Sequence, residues 1–277
     1  MKSTKFLGIF TLLFVVLFAL SGESFAQENS DTYNPNSVYP ISKYDQLFKK
    51  RVWRKMDLRE KINRPYLSKN MEITRFIIDR VLDGSLVPYA NDSCETELTL
   101  ADFKERIALP TFEEEEEDFP EEGEEEIIDE EPVDEVGDYL PNQFSVLEIV
   151  EDVIFDRKRS RMYFDIQSIG MWLPAREKVD GDNPLDEDIA YFKYKDLENL
   201  FRQNPDEAIW FNRYNTSEHK NYADAFLLRM FHARITKVEN PDDESIDEIY
   251  EDPKRALYAS QEAEFKLMEM EHNLWEY

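Results

Sequence analysis

An α+β fold follows from three features of the sequence. The first is a pair of β-branched and aromatic runs, Phe144 to Phe155 and Arg161 to Trp172, split by the basic turn Asp156-Arg157-Lys158-Arg159-Ser160. That arrangement predicts an antiparallel hairpin in the middle of the chain. The second is helical periodicity on either side of the hairpin. Ile73, Phe76, Ile77 and Val81 repeat at helical spacing before it, and Ala256, Ser260, Ala263, Leu267, Met270 and Leu274 do so after it. The third is Glu113 to Asp138, which holds 17 carboxylates and no Lys or Arg. Self-repulsion and sparse apolar surface predict a disordered insert there.

The chain opens with Lys2 and Lys5, followed by an uncharged run from Phe6 to Leu20. Ser24-Phe25-Ala26 then places small residues three and one before Gln27, the pattern read by a signal peptidase. The run is shorter than the roughly 20 residues a spanning helix needs. Residues 1–26 are therefore expected to be a signal peptide cut between Ala26 and Gln27, with a short membrane anchor as the alternative. Residues 27–42 are polar and read as a flexible leader.

Residues 43–112 form a predicted helical N-terminal region. Lys43 to Lys69 carries ten Lys or Arg against three acids, interleaved with Tyr44, Leu47, Phe48, Val52, Trp53, Met56 and Leu58. Positions 44, 47, 48 and 52 fit a helical stripe. The basic face is read three ways: as simply solvated, as a docking arm for an acidic partner, or as contacting an anionic membrane. Lys49, Lys50, Arg51, Trp53 and Arg54 are the partner-contact candidates. There an aromatic would supply most of the affinity, while the charges set encounter rate and register. A helix over Asn70 to Gly84 follows, with Asn70 as its cap and Gly84 as its left-handed stop. Another runs from Leu100 to Ile107, capped by Thr99 and stopped by Pro110.

Residues 139–277 are expected to form an α+β domain. After the hairpin come a loop through Pro174 and Asp180 to Asp188, a strand at Ala190–Tyr194, a helix at Lys195–Gln203 and a strand near Ala208–Phe211. Two helices close the chain. Tyr222, Ala225, Phe226, Arg229, Met230 and Ala233 lie on one face of the first, over residues 220–237. Pro253 opens the second, which runs to Trp275. The acidic run 113–138 is read as a solvated spacer, a loose cation-binding segment or a dynamic partner of the basic arm. It lacks the spacing of a calcium loop.

The charge of -28 disfavours nucleic-acid binding, which needs a concentrated positive patch. One cysteine, Cys94, excludes an intramolecular disulfide and a cysteine-based zinc site. Asp92 and Glu95 beside it raise a thiol's pKa rather than activate it. His219, His232 and His272 show no metal-binding spacing, and the 7 glycines offer no phosphate loop. No catalytic, cofactor-binding or metal residues are assigned, and no cofactor is expected. Abundant carboxylates leave a hidden glycosidase pair open, with a deep pocket as its sign.

Particular strings carry a resemblance. Ser37-Val38-Tyr39-Pro40-Ile41, Lys50-Arg51-Val52-Trp53-Arg54 and Ile73-Thr74-Arg75-Phe76-Ile77 resemble the gliding-motility family GldN, which includes PorN. Glu151 through Ser160, Phe211-Asn212-Arg213-Tyr214-Asn215, Tyr222-Ala223-Asp224-Ala225-Phe226 and the ending Glu271 through Tyr277 continue it in order. The acidic run lies outside the matching strings. The resemblance implies a non-enzymatic periplasmic subunit of the type IX secretion and gliding motility machinery of Bacteroidota. It further implies a ring of many copies with an outer-membrane lipoprotein of the GldK/PorK type, and contact with the periplasmic region of a GldM/PorM-type motor protein. Such a subunit would be peripheral to the outer membrane through its lipoprotein partner. A periplasmic chaperone or cargo-binding module for secreted proteins is the alternative.

Overall fold

The computed structural model describes residues 33–110, 137–178 and 185–275. The signal segment with its Ala26–Gln27 cleavage point, the start of the leader, the acidic run through residue 136 and part of the 180–188 loop lie outside the described residues. The fold is α+β. A five-stranded antiparallel sheet is built from β1 (Gln46–Asp57), β4 (Val146–Asp156), β5 (Arg161–Leu173), β6 (Glu187–Lys193) and β9 (Arg234–Val238), in the order β6-β5-β4-β1-β9. Two-stranded ribbons pair β2 (Leu67–Ser68) with β3 (Met71–Glu72) and β7 (Ile209–Trp210) with β8 (Lys220–Asn221).

The predicted hairpin is present as β4 and β5, paired from Asp156↔Arg161 to Val146↔Trp172 with one bulge beside Glu151. Helix α1 (Ile73–Leu82) buries Ile73, Phe76, Ile77 and Val81 as its period requires. Gly84 ends it at φ +73°. The cap is a correction: Glu72, not Asn70, precedes the first turn. Asn70 instead takes φ +66° in the turn between β2 and β3, a conformation that Asn tolerates better than most residues. Helix α2 (Leu100–Ile107) has the predicted cap, with Thr99 Oγ1 accepting from the Asp102 N–H.

Two helical expectations are overturned. The stripe at 44, 47, 48 and 52 is not a helix, because residues 46–57 form β1, near the centre of the sheet. The expected helix over 220–237 is instead β8, α4 (Tyr222–Leu227), a turn, and β9. Between β6 and β7 lies α3 (Tyr194–Gln203), close to its expected place. After β9 come α5 (Ile246–Ile249) and the long α6 (Pro253–Trp275), opened by Pro253 as predicted.

The strands' two-residue period sends Val52, Arg54 and Met56 of β1 and Leu147, Ile149, Glu151, Val153 and Phe155 of β4 to one face. Two apolar clusters cover that face. The larger joins Leu147, Ile149, Ile169 and Met171 to Phe76, Phe103, Phe201, Tyr222 and Phe226 of the first four helices. The smaller joins Val52, Val153, Phe155 and Ile235 to Ile246, Ala256 and Leu267. On the opposite face Tyr191 donates its hydroxyl to Glu148 at 2.9 Å. Its ring crosses Gly170, where a Cβ would meet a ring carbon at 2.5 Å, so only glycine fits.

Candidate functional site

Four of the five predicted partner-contact residues are engaged within the chain. Lys49 and Arg51 both reach the buried carboxylate of Asp152, at 2.9 and 2.8 Å. Burial alone would raise the Asp152 pKa. The hydrogen bonds and charges of Arg51 and Lys49 outweigh it and hold the carboxyl below its ordinary value. Trp53 is buried, its indole N–H donates to Asp92 Oδ2 at 2.8 Å, and the Lys237 ammonium lies 4.7 Å from its ring centroid. Arg54 is buried between Glu151 and Glu264. Desolvation lowers its pKa, but those two carboxylates reverse the balance and keep it charged. Lys50 alone has no ion-pair partner among the described residues.

Glu151 is the centre of this arrangement. Its side chain is 0% exposed and takes Arg54 on one side and Arg229 on the other, the latter through bonds of 2.7 and 3.3 Å. The ionic layer separates the two apolar clusters on the covered face. Arg229 reaches it because α4 stops abruptly. The Met230 N–H bonds to the Ala225 carbonyl and the Arg229 N–H to the Phe226 carbonyl, which places Arg229 at φ +50°. This helix ending usually employs glycine. Here an arginine occupies it, tethered by a buried carboxylate.

Beside the layer runs a groove of about 410 Å³. One wall is the β5 segment Arg161–Ile166, another is Leu227, Leu228 and Arg229, and Val38 and Tyr39 form a third. The Arg229 guanidinium sits 4.3 Å from the Phe164 ring centroid. Two carboxyls line the groove, Glu198 and Asp165. Glu198 is held by Arg202 four residues on. Burial pushes Asp165 up to about 6, opposed by the Gln167 amide that donates to it at 2.6 Å.

The folded state therefore binds the Asp165 proton more tightly than the unfolded chain. Its stabilising contribution is complete below about pH 4 and is lost as pH rises through about 6. Asp165→Asn keeps an acceptor for Gln167 and removes that loss. At about pH 7.5 the variant is expected to exceed the parent by about 1–3 kcal/mol, and the gap should close near pH 4. Urea unfolding at both pH values checks this; a gap that does not change with pH contradicts it.

Cys94 is buried, and burial raises its thiol to about 11. The ring of His219 stacks on Phe211, and a ring nitrogen of His232 meets Glu60 at 2.7 Å. Among the described residues no cluster of three or more His, Cys, Asp or Glu is placed to hold a metal.

Glu151, Arg229 and the groove residues were not among the sequence candidates. One signal was available: Glu148, Glu151 and Asp152 interrupt a largely apolar strand, and acids in such a place need buried partners.

Fold and site together define an α+β protein in which Lys49, Arg51 and Arg54 of β1 pair with carboxylates of their own chain. The family of gliding motility associated protein GldN matches residues 41–276. The chain belongs to the GldN family and is a gliding motility associated protein. Comparison with curated proteins gives no match. No helix among the described residues is long and apolar enough to cross a membrane.

Proposed function

We propose that this chain is a non-enzymatic structural subunit of the type IX secretion and gliding motility machinery. It is exported, cut between Ala26 and Gln27, and works in the periplasm. There it forms a ring-like complex with an outer-membrane lipoprotein of the GldK/PorK type and meets a GldM/PorM-type motor protein. Family membership supports the machinery.

The outer face of α6 is the observation that carries a subunit role. Tyr258, Phe265 and Met268 are 69%, 65% and 54% exposed and fall on one side of the helix by their spacing of seven and three. Isolated soluble proteins rarely leave large apolar side chains grouped in this way, whereas a subunit covers them on assembly. A tagged chain expressed from its own locus and recovered from the membrane fraction tests the proposal. Near-equal recovery of one outer-membrane lipoprotein, in ring-shaped particles by negative stain, is expected. A monomer without a stable companion overturns it, as does weak recovery with many secreted clients.

A further inference from the structure

Strand β5 pairs with β4 along its whole length, but β6 covers its outer edge only from Ser168 to Leu173. At Lys193 the chain leaves the sheet and enters α3. Among the described residues no strand pairs with the outer side of Arg161–Ile166. Such an edge presents backbone donors and acceptors to any strand that can reach it, and proteins that do not use one ordinarily block it.

We propose that this half-edge is a strand-addition site for an extended segment of a partner protein, apolar toward Phe164 and Leu228 and carrying carboxylates at the end beside Arg157, Lys158 and Arg161. The groove runs along the free edge and supplies the slot. By the strand period, Met162, Phe164 and Ile166 face the helix side while Arg161, Tyr163 and Asp165 face the other. Phe164, Leu227 and Leu228 are exposed on the first side, and Tyr39 is exposed at the groove's third wall. An added strand lies about 4.8 Å from its neighbour and satisfies the edge's backbone groups, with alternate side chains directed into the groove and away from it. A helix, about 10 Å across, would leave those groups unpaired.

Charge gives the occupant its chemistry. Arg157, Lys158, Arg159 and Arg161 are exposed at the start of the edge, and of these Arg159 is paired with Asp156. A concentration of cations on a chain of net charge -28 selects an acidic segment. The inference stands on the strand edge and does not depend on the secretion-machinery reading.

The test uses the mature chain and a synthetic peptide of about ten residues, long enough to cover the six-residue edge. The peptide has valine at alternate positions and three glutamates at one end, and its control has lysines in their place. Binding is followed by fluorescence anisotropy, and amide hydrogen exchange reads Arg161–Ile166. The expected result is saturable binding of the acidic peptide with slowed exchange confined to that edge. Joint replacement of Arg157, Lys158 and Arg161 by Glu should weaken binding about tenfold or more. Absent binding, equal binding of the lysine peptide, or binding without slowed exchange at the edge overturns the proposal. So does protection that rises with protein concentration alone, which would make a second copy the occupant. Edge protection in the free chain that disappears on deletion of residues 113–136 would make the chain's own acidic run the occupant, and likewise overturns it.

Discussion

Replacing Glu151 with alanine is expected to destabilise the protein by about 3–5 kcal/mol, the cost of stranding buried charge. Arg54, whose side chain is 5% exposed, would keep Glu264, itself 41% exposed, as its charged partner beside a long bond to the Ala233 carbonyl. Arg229 would lose the carboxylate that holds it at positive φ, a conformation a non-glycine residue adopts at a cost of about 1 kcal/mol. At this chain length such a loss lowers the thermal midpoint by about 10 °C. Glu264→Ala is the control. It removes the solvent-facing half of the Arg54 pairing, with an expected effect of about 1 kcal/mol. Urea unfolding of both variants decides the point, and comparable small losses would show that the layer carries no special burden. Because a buried pair is weak evidence of net stability, Arg54→Met combined with Glu151→Met should recover part of the single-variant loss.

Phe226→Ala is the other large effect, at about 3–5 kcal/mol. Phe226 is 1% exposed, and its ring lies 5.3 Å from Tyr66, 5.8 Å from Tyr194, 6.4 Å from Phe201 and 5.6 Å from Phe231, centroid to centroid. Those rings belong to three separate segments, Tyr194 and Phe201 sharing α3, so none can move into the void without dragging its own backbone. Tyr222, one turn earlier, is fully buried and donates its hydroxyl to the Met71 carbonyl, which pins α4 from a second direction. Phe226→Leu should restore about half of the loss by refilling part of the space. Thermal unfolding of the two variants measures it. A loss near 1 kcal/mol for the alanine variant would mean that the cluster collapses, contrary to its close packing.

The two misread elements fail for physical reasons that belong to particular residues. In β1, the positions facing the helices are Phe48, Lys50, Val52, Arg54 and Met56. A half-buried strand should alternate apolar and polar, and Lys50 and Arg54 break that alternation on the covered side. Arg54 can sit there because Glu151, 97 residues away, provides its counter-charge. Local pattern cannot register a partner so distant in sequence. In residues 220–237 the helix ends without glycine or proline. Arg229 takes the left-handed turn, and its side chain is held by the same Glu151. One buried carboxylate thus lies behind both errors. Of the candidate contact residues, Lys49, Arg51, Trp53 and Arg54 meet Asp152, Asp92 and Glu151 from other parts of the chain, while Lys49 and Arg51 stay 39% and 34% exposed.

By itself the sequence determined what depends on near neighbours. The β4–β5 hairpin, the Thr99 cap of α2, the glycine stop after α1, the Pro253 start of α6 and the buried stripe of that helix all follow from steric and hydrogen-bonding preferences a few residues long. Its ordered strings also carried the family, since a resemblance needs no folding. Tertiary structure alone decided that a cationic segment becomes an interior strand, that two acids in β4 organise the cations around them, and that half of the β5 edge stays open beside a groove. Those outcomes turn on charges or backbone groups brought together from separate parts of the chain, 97 residues apart for Arg54 and Glu151 and 78 for Arg229 and Glu151, where burial makes pairing strong and the lack of a partner costly.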